Sequence, residues 1–158
     1  MKLRESGFTL IELMVVVTII GVLASVATPK YMGVVDRAKD AATRGNLHNL
    51  KVAIHMYYAY TDGHWPPSLD KPAGGGLPNF VPRFMARIPR AQLRSDVVQD
   101  DPGINPDSTA VNNEWGPDDN NPQITGVGGW IYNPRNGDIK INVEPHILDS
   151  KGEPYFNY

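Results

Sequence analysis

The sequence predicts an α+β fold, in which one long N-terminal helix packs on a small antiparallel β-sheet joined by long loops. An apolar run begins at Phe8, and an amphipathic stretch without proline follows it from Lys30 to Tyr60. The clearest strand pattern starts at Gly129, and the 15 glycines and 14 prolines favour long loops before it. We therefore expect three parts: a leader over residues 1–7, a helix over residues 8–62 and a globular domain over residues 63–158.

Composition excludes several classes of function. The chain carries 15 Lys and Arg against 17 Asp and Glu, a formal charge of −2, so we expect no nucleic-acid partner. It has no cysteine, which excludes a disulfide framework, a thiolate metal site and a cysteine nucleophile. The sequence contains no G-x-S-x-G, H-E-x-x-H or dinucleotide-binding glycine motif, and we expect no enzymatic activity.

The apolar run from Phe8 to Thr28 is long enough to cross a membrane. It has about 21 residues, and a helix of that length covers about 32 Å, which matches the hydrocarbon core. Lys2 and Arg4 precede it, so the short N-terminal end should stay in the cytoplasm and the rest of the chain should lie beyond the inner membrane. We expect a single-pass protein with an exported C-terminal domain.

Glu12 is the only charged residue in this run, and it separates three interpretations. A cleaved secretory signal would end near Ser25-Val26-Ala27, where small residues suit signal peptidase. A plain membrane anchor would need no cleavage at all. Both leave Glu12 unexplained, because a carboxylate in the middle of a membrane costs about 2.5–3.5 kcal/mol on insertion scales and is retained only for a reason.

The segment Gly7-Phe8-Thr9-Leu10-Ile11-Glu12, followed by an apolar helix, resembles the processing site of type IV prepilins and type II secretion pseudopilins. The resemblance implies that a prepilin peptidase cuts between Gly7 and Phe8 and methylates the new amine of Phe8. It also implies that Glu12 neutralises the amine of an adjacent subunit during assembly. Such a pair would fix the register of subunits, because a misplaced subunit would leave two charges unpaired.

The resemblance implies a structural subunit of a filament, and the missing disulfide and the Trp65-Pro66 segment favour a type II secretion pseudopilin. One alternative is a surface type IV pilin used for adhesion, motility or DNA uptake. Another is a membrane-anchored periplasmic binding module with the acidic loop as its ligand site. The expected partners of a filament subunit are further copies of the chain, the prepilin peptidase, an inner-membrane assembly platform and minor pilins or pseudopilins.

Within the long helix we expect a kink between Gly21 and Pro29. Proline removes a backbone donor and clashes with the preceding turn, and this stretch is rich in β-branched residues. His48 and His55 lie two turns apart and could in principle share a metal ion. Without nearby carboxylates they make a poor site, so ordinary surface histidines are the better interpretation.

A β-hairpin is predicted over Gly129–Asn142, with Asn136-Gly137 at its turn. Ile139, Ile141 and Val143 alternate with polar residues and should form one buried face. We expect this face to pack on the apolar side of the helix, at residues such as Leu50, Ile54 and Tyr57.

An acidic stretch without Lys or Arg runs from Ser95 to Pro134. Clustered carboxylates on loops suit hard cations, and the resemblance adds that major pseudopilins hold calcium in a C-terminal loop. No EF-hand spacing is present, so a solvated acidic loop remains the alternative. If a metal binds, the expected ion is calcium and the candidate ligands are Asp100, Asp101, Asp107, Asp118 and Asp119.

Overall fold

The computed structural model describes residues 7–117 and 122–158, and its chain divides into two compact units between Val35 and Asp36. The predicted α+β class is confirmed. In chain order the elements are α1 (Leu10–Tyr60), β1 (Ala91–Gln92), α2 (Val97–Asp100), β2 (Asp107–Ser108), β3 (Val111–Asn112), β4 (Trp130–Tyr132), β5 (Ile139–Ile141) and a 3-10 helix (Tyr155–Asn157).

Helix α1 is continuous and contains both Gly21 and Pro29. Just before the proline, the hydroxyl of Thr28 donates a hydrogen bond to the carbonyl of Ala24 (2.8 Å). The kink at Gly21 and Pro29 stays a prediction. The helix ends where the chain turns into the left-handed region at Asp62 (φ 53°) and Gly63 (φ 91°).

The sheet has three strands in the order β3-β4-β5 and is mixed. Strands β4 and β5 form the predicted antiparallel hairpin, in which Tyr132 pairs with Ile139. Its turn spans residues 134–137, because Asn133 donates a backbone hydrogen bond to Asp138 (2.8 Å). Strand β3 runs parallel to β4, so the sheet is not wholly antiparallel, while β1 and β2 form a separate antiparallel pair.

The core of the second unit lies between α1 and the hairpin. As predicted, Ile139, Ile141 and Val143 are buried, and they belong to one hydrophobic cluster with residues of α1. Burial of this apolar surface is the main contribution to the stability of the unit. The helix residues of the cluster are Leu47, Leu50, Ala53, Ile54 and Tyr57.

Trp65 connects the end of α1 to the hairpin turn. Its ring stacks on Tyr58, with 4.1 Å between the ring centroids. On the hairpin side it lies against Gly137, where a Cβ atom would approach the Trp65 ring to 2.3 Å. The next residue, Pro66, accepts a hydrogen bond from the hydroxyl of Tyr132 (2.8 Å). The indole therefore fits only because residue 137 has no side chain.

We predict that Gly137→Ala lowers the free energy of unfolding by about 2–4 kcal/mol. The added Cβ atom makes the left-handed backbone unfavourable and also clashes with the ring of Trp65. Gly152→Ala is the matched control. Gly152 has a similar φ (83° against 80°), but nothing lies within 4 Å of the added Cβ atom. Urea denaturation of the detergent-extracted protein measures both variants, and equal losses would contradict a role for the Trp65 contact.

The C-terminal segment is attached to α1 by a cluster of charged and phenolic groups. Asp149 is buried and accepts hydrogen bonds from Arg44 (2.8 Å) and from the Tyr158 hydroxyl (2.6 Å). Burial alone would raise the pKa of Asp149. The hydrogen bonds from Tyr158, from the backbone N–H groups of Glu153 and Lys151 and from Arg44 outweigh burial and hold this pKa at about 2.

This lowered pKa predicts acid sensitivity. The unfolded chain, with a pKa near 3.8 for this group, binds the proton before the folded chain does. The contribution of Asp149, about 2 kcal/mol, is therefore present above pH 4 and is lost as the pH falls toward 2. In Asp149→Asn we expect this part of the pH dependence of unfolding to disappear. Glu153→Gln, which changes an exposed partner of the same Arg44, should retain it.

Candidate functional site: the start of helix α1

The first turn of α1 is closed by a reciprocal pair of side chains, Thr9 and Glu12. Thr9 donates to Glu12 Oε2 twice, through its backbone N–H (2.8 Å) and through its hydroxyl (2.7 Å). In return the backbone N–H of Glu12 donates to Thr9 Oγ1 (3.3 Å). Because α1 begins at Leu10, Thr9 is the N-cap residue and Glu12 is the third residue of the helix. This arrangement is a capping box.

The surroundings of this pair are apolar and uncovered. Every residue from Gly7 to Met32 is exposed, including the large apolar side chains of the helix. Part of α1 has a mean hydropathy of 2.6, so it is long and apolar enough to cross a membrane. Glu12 itself lies in a shallow groove with Phe8, Ile11 and Val15. No cation of the described residues forms an ion pair with Glu12.

The capping box uses only half of the Glu12 carboxylate. Oε2 accepts both Thr9 hydrogens, and within residues 7–117 and 122–158 no donor reaches Oε1. The negative charge is also well placed at the positive end of the helix dipole. The carboxylate of Glu12 is therefore held in a fixed position with one oxygen open to a further donor. Its surroundings are apolar, so its charge would be costly if water were excluded and no partner were present.

The predicted processing residues lie just before the helix. Gly7 and Phe8 have no regular secondary structure, both are exposed, and nothing would contact a Cβ atom at Gly7. An exposed peptide outside regular secondary structure is accessible to a protease. The roles of Gly7, Phe8 and Glu12 in processing and assembly stay predictions. Residues 1–6 of the predicted leader lie outside the described residues.

The capping role of Thr9 was not predicted from the sequence. The signal was present, because Thr9-Leu10-Ile11-Glu12 matches the T-x-x-E pattern of a capping box directly before an apolar run. The same four residues belong to the predicted processing site, in which Glu12 alone has a predicted role. The structure adds that the threonine holds this carboxylate in place.

The three candidate calcium ligands that the structure describes, Asp100, Asp101 and Asp107, do not form a metal-binding group. Asp100 forms an ion pair with Arg94, and Asp107 forms one with Arg90. Asp101 accepts a hydrogen bond from the backbone of Gly103 (3.0 Å). No group of three or more potential metal ligands is present within the described residues. The other two candidates, Asp118 and Asp119, lie outside the described residues, so calcium binding stays a prediction.

His48 and His55 are both exposed on α1, and neither is part of a metal-binding group in the part of the chain that the structure describes. The Nδ1 atom of His55 lies 2.7 Å from the carbonyl oxygen of Lys51. A carbonyl only accepts, so this nitrogen carries the hydrogen. The ring of His55 also meets Trp65 edge to face, with 5.6 Å between centroids.

Residues 2–28 match the prokaryotic N-terminal methylation motif. The type II secretion system core protein G of Pseudomonas aeruginosa is 37% identical over 81 residues, which cover 48% of this chain and 57% of that protein. Core protein G of Pectobacterium carotovorum is 32% identical over 108 residues, which cover 63% of this chain and 69% of that protein.

A type IV major pilin of Neisseria gonorrhoeae, PilE1, is 40% identical over 78 residues, covering 49% of this chain and 35% of that protein. No solved structure matches the chain. The apolar helix and the methylation motif at its start together indicate membrane anchoring, and the relatives are structural subunits of filament-forming systems. The chain belongs to the pilin-like family, which includes the type II secretion core protein G and the type IV pilins.

Proposed function

We propose that the chain is the structural subunit of a type II secretion pseudopilus, made as a precursor and polymerised through α1. The observation that carries this proposal is the fixed, half-satisfied carboxylate of Glu12 at the start of a fully exposed apolar helix. The matches to core protein G, which is named as part of a type II secretion system, favour this machine. The subunit is structural and has no catalytic role.

The proposed path begins in the inner membrane. Lys2 and Arg4 keep the N-terminus in the cytoplasm and leave the globular domain in the periplasm. A prepilin peptidase cleaves the exposed bond between Gly7 and Phe8 and methylates Phe8. The shortened chain stays anchored by α1 until an inner-membrane assembly platform, together with minor pseudopilins, adds it to the filament.

Cleavage places a positive amine at Phe8, and this amine needs a negative partner once water is excluded. Glu12 of a neighbouring copy can accept it through Oε1 while Thr9 still holds Oε2. The net gain of such a pair is small, because desolvation offsets much of the attraction. A subunit in the wrong register would leave both charges unpaired at a cost of several kcal/mol, so the pair selects the register.

We predict that the mature protein extracted from native membranes begins at Phe8 and carries one methyl group. Intact mass spectrometry reads the cleavage point and the methyl group together. Gly7→Trp is the control and should leave the precursor uncleaved, since a bulky side chain precedes the bond. A wild-type chain that begins near Thr28 would show an ordinary secreted domain and would overturn the proposal.

We predict that Glu12→Gln is processed normally but fails to assemble. Glutamine can take the place of glutamate in a capping box, so the start of the helix is retained while the charge is lost. The pelletable filament fraction after shearing should fall at least tenfold, with Glu114→Gln as an exposed, charge-matched control. Normal filaments from Glu12→Gln would mean that capping, and not charge pairing, is what assembly needs at this position.

A surface type IV pilin is the second candidate, favoured by the 40% identity to a gonococcal major pilin over 78 residues. The two candidates differ in whether the filament extends beyond the outer membrane. Antibody labelling of intact cells detects a surface pilus, whereas a pseudopilus expressed at native levels stays in the periplasm and is labelled only after the outer membrane is opened. A chain that never pellets in a filament fraction would instead support a membrane-anchored binding module.

A further inference from the structure

An open cavity of about 620 Å³ lies in the surface of the second unit, beside the middle of α1. Asn46 and Asn49 of α1 form part of its lining, and residues 85–90, which lead into β1, form much of the rest. Gln92 of β1 and Thr109, next to β2, complete the polar lining. Cavities of this volume hold small organic molecules.

The backbone beside the cavity is held in place by side chains of other elements. The side-chain amide of Asn46 donates a hydrogen bond to the carbonyl oxygen of Arg90 (2.9 Å). The indole N–H of Trp130, which is buried in β4, donates one to the carbonyl oxygen of Pro89 (2.8 Å). A wall that is already fixed loses little conformational freedom when a ligand binds, so the cavity is preorganised.

Four polar side chains that line this preorganised cavity are unused. Within the described residues, the guanidinium of Arg87 forms no ion pair and no hydrogen bond, although it lines the cavity. The same holds for the side-chain amides of Asn49 and Gln92 and for the hydroxyl of Thr109. The cavity therefore offers one cation and three uncharged hydrogen-bonding groups to a ligand.

The charge at the cavity favours a ligand with a single negative charge. None of the described residues that line the cavity is acidic. Arg90 is balanced by an ion pair with Asp107, which leaves the charge of Arg87 uncompensated. A guanidinium pairs with a carboxylate through two parallel hydrogen bonds, and their charges cancel. A phosphate monoester carries up to two negative charges near pH 7, so one arginine would not balance it.

The uncharged groups indicate what surrounds this carboxylate in the ligand. The amides of Asn49 and Gln92 and the hydroxyl of Thr109 can each both donate and accept a hydrogen bond. Hydroxyl groups of a sugar do the same, so the two sets match. Met85 and Ile88, which are half-buried and also line the cavity, can contact the C–H groups of a sugar ring.

An extended peptide would fit this cavity less well. Peptides commonly bind by pairing their backbone with the free edge of a strand. Here the backbone N–H of Gln92 donates to the hydroxyl oxygen of Thr43 (2.7 Å), and that hydroxyl donates to the carbonyl of Gln92 (2.5 Å). The carbonyls of Pro89 and Arg90 are engaged as well. The groups that remain free are side chains, which suits a sugar better than a peptide.

We propose that this cavity binds an acidic sugar, a hydroxylated ring that carries a carboxylate. Arg87 pairs with the carboxylate, and Asn49, Gln92 and Thr109 hydrogen-bond the hydroxyl groups. Because the cavity is open to solvent, the ligand is either a free uronate or one residue of a uronate polymer. The proposal does not depend on the proposed filament function and adds a binding site to the globular unit.

Saturation-transfer NMR on the full-length chain, in a detergent without a sugar headgroup, tests this site with glucuronate and glucose. The two probes share their ring and differ in the carboxylate. We expect glucuronate to bind with a Kd on the order of 1 mM and glucose at least tenfold more weakly. Added salt should weaken the binding of glucuronate, since the Arg87 pair is exposed. Acetate, a carboxylate without a ring, should not displace it.

Two variants of exposed residues place the binding in this cavity. Arg87→Gln removes the cation and should raise the Kd for glucuronate at least tenfold. Asn49→Asp retains the shape of the side chain but adds a carboxylate that repels the ligand, and it should raise the Kd as well. Arg83→Gln is the matched control, because Arg83 contacts Tyr60 and does not line the cavity. Urea denaturation of each variant checks that the fold is retained.

A tetramer of glucuronate residues distinguishes the two sources of the ligand. If the tetramer binds more tightly than the monomer, the site takes a polymer, whereas equal values of Kd indicate a single uronate. Absence of saturable binding by both probes would overturn the proposal, and so would equal displacement by acetate. Tighter binding of a tetraglutamate peptide would assign the cavity to a protein partner instead. An unchanged Kd in both Arg87→Gln and Asn49→Asp would place the binding elsewhere and would also overturn it.

Discussion

The first half of α1 exposes its apolar surface on all sides, and this single fact constrains the rest of the molecule. A helix of this kind needs an apolar environment, first the bilayer and then other helices. Lipid tails and neighbouring leucine or valine side chains are equally apolar, so moving from one to the other changes the hydrophobic energy little. The bilayer and a bundle of helices differ in whether they offer the charge of Glu12 a partner of opposite sign. This is why the proposed function gives Glu12 the role of pairing with a neighbouring copy.

The capping box shows how such a charge is tolerated before a partner arrives. Thr9 supplies two hydrogen bonds to one oxygen of Glu12, and the helix dipole favours a negative group at that end. These local contacts lower the cost of keeping the carboxylate ionised, but they leave the other oxygen open. A carboxylate that was fully satisfied within its own chain would gain little from an incoming amine, so the open oxygen is what the proposed pairing requires.

The second unit has little regular structure outside α1, and its strands are only two or three residues long. Short strands contribute few ladder hydrogen bonds, so side chains must fix the loops. Thr43 on α1 does this by exchanging hydrogen bonds with the backbone of Gln92, through 2.5 Å and 2.7 Å contacts. Trp65 fixes the hairpin turn through its side chain, and Asp149 fixes the C-terminal segment. Individual side chains therefore attach each of these segments to the rest of the unit.

The sequence predicted those parts of the fold that depend on periodicity. The long helix and the hairpin at Trp130–Ile141 follow from spacings of apolar residues, which report local structure. Strand β3 could not be predicted, since two residues carry no period and its parallel pairing depends on a distant strand. Two of the candidate calcium ligands, Asp107 and Asp100, form ion pairs with Arg90 and Arg94, which lie just before the acidic stretch. Ion pairs across a loop leave no periodic signal.

Apolar contacts and charged contacts have different roles in a filament built from such a subunit. Hydrophobic burial is non-directional and nearly insensitive to sliding along a helix of uniform character, so it supplies cohesion without register. Charges of opposite sign placed at different heights on one chain are directional, because they are satisfied at only one displacement. The proposed pairing of Glu12 with the amine of a neighbouring copy would supply this register for the helices. A charge pair of this kind would select one displacement from the many that hydrophobic contact alone allows.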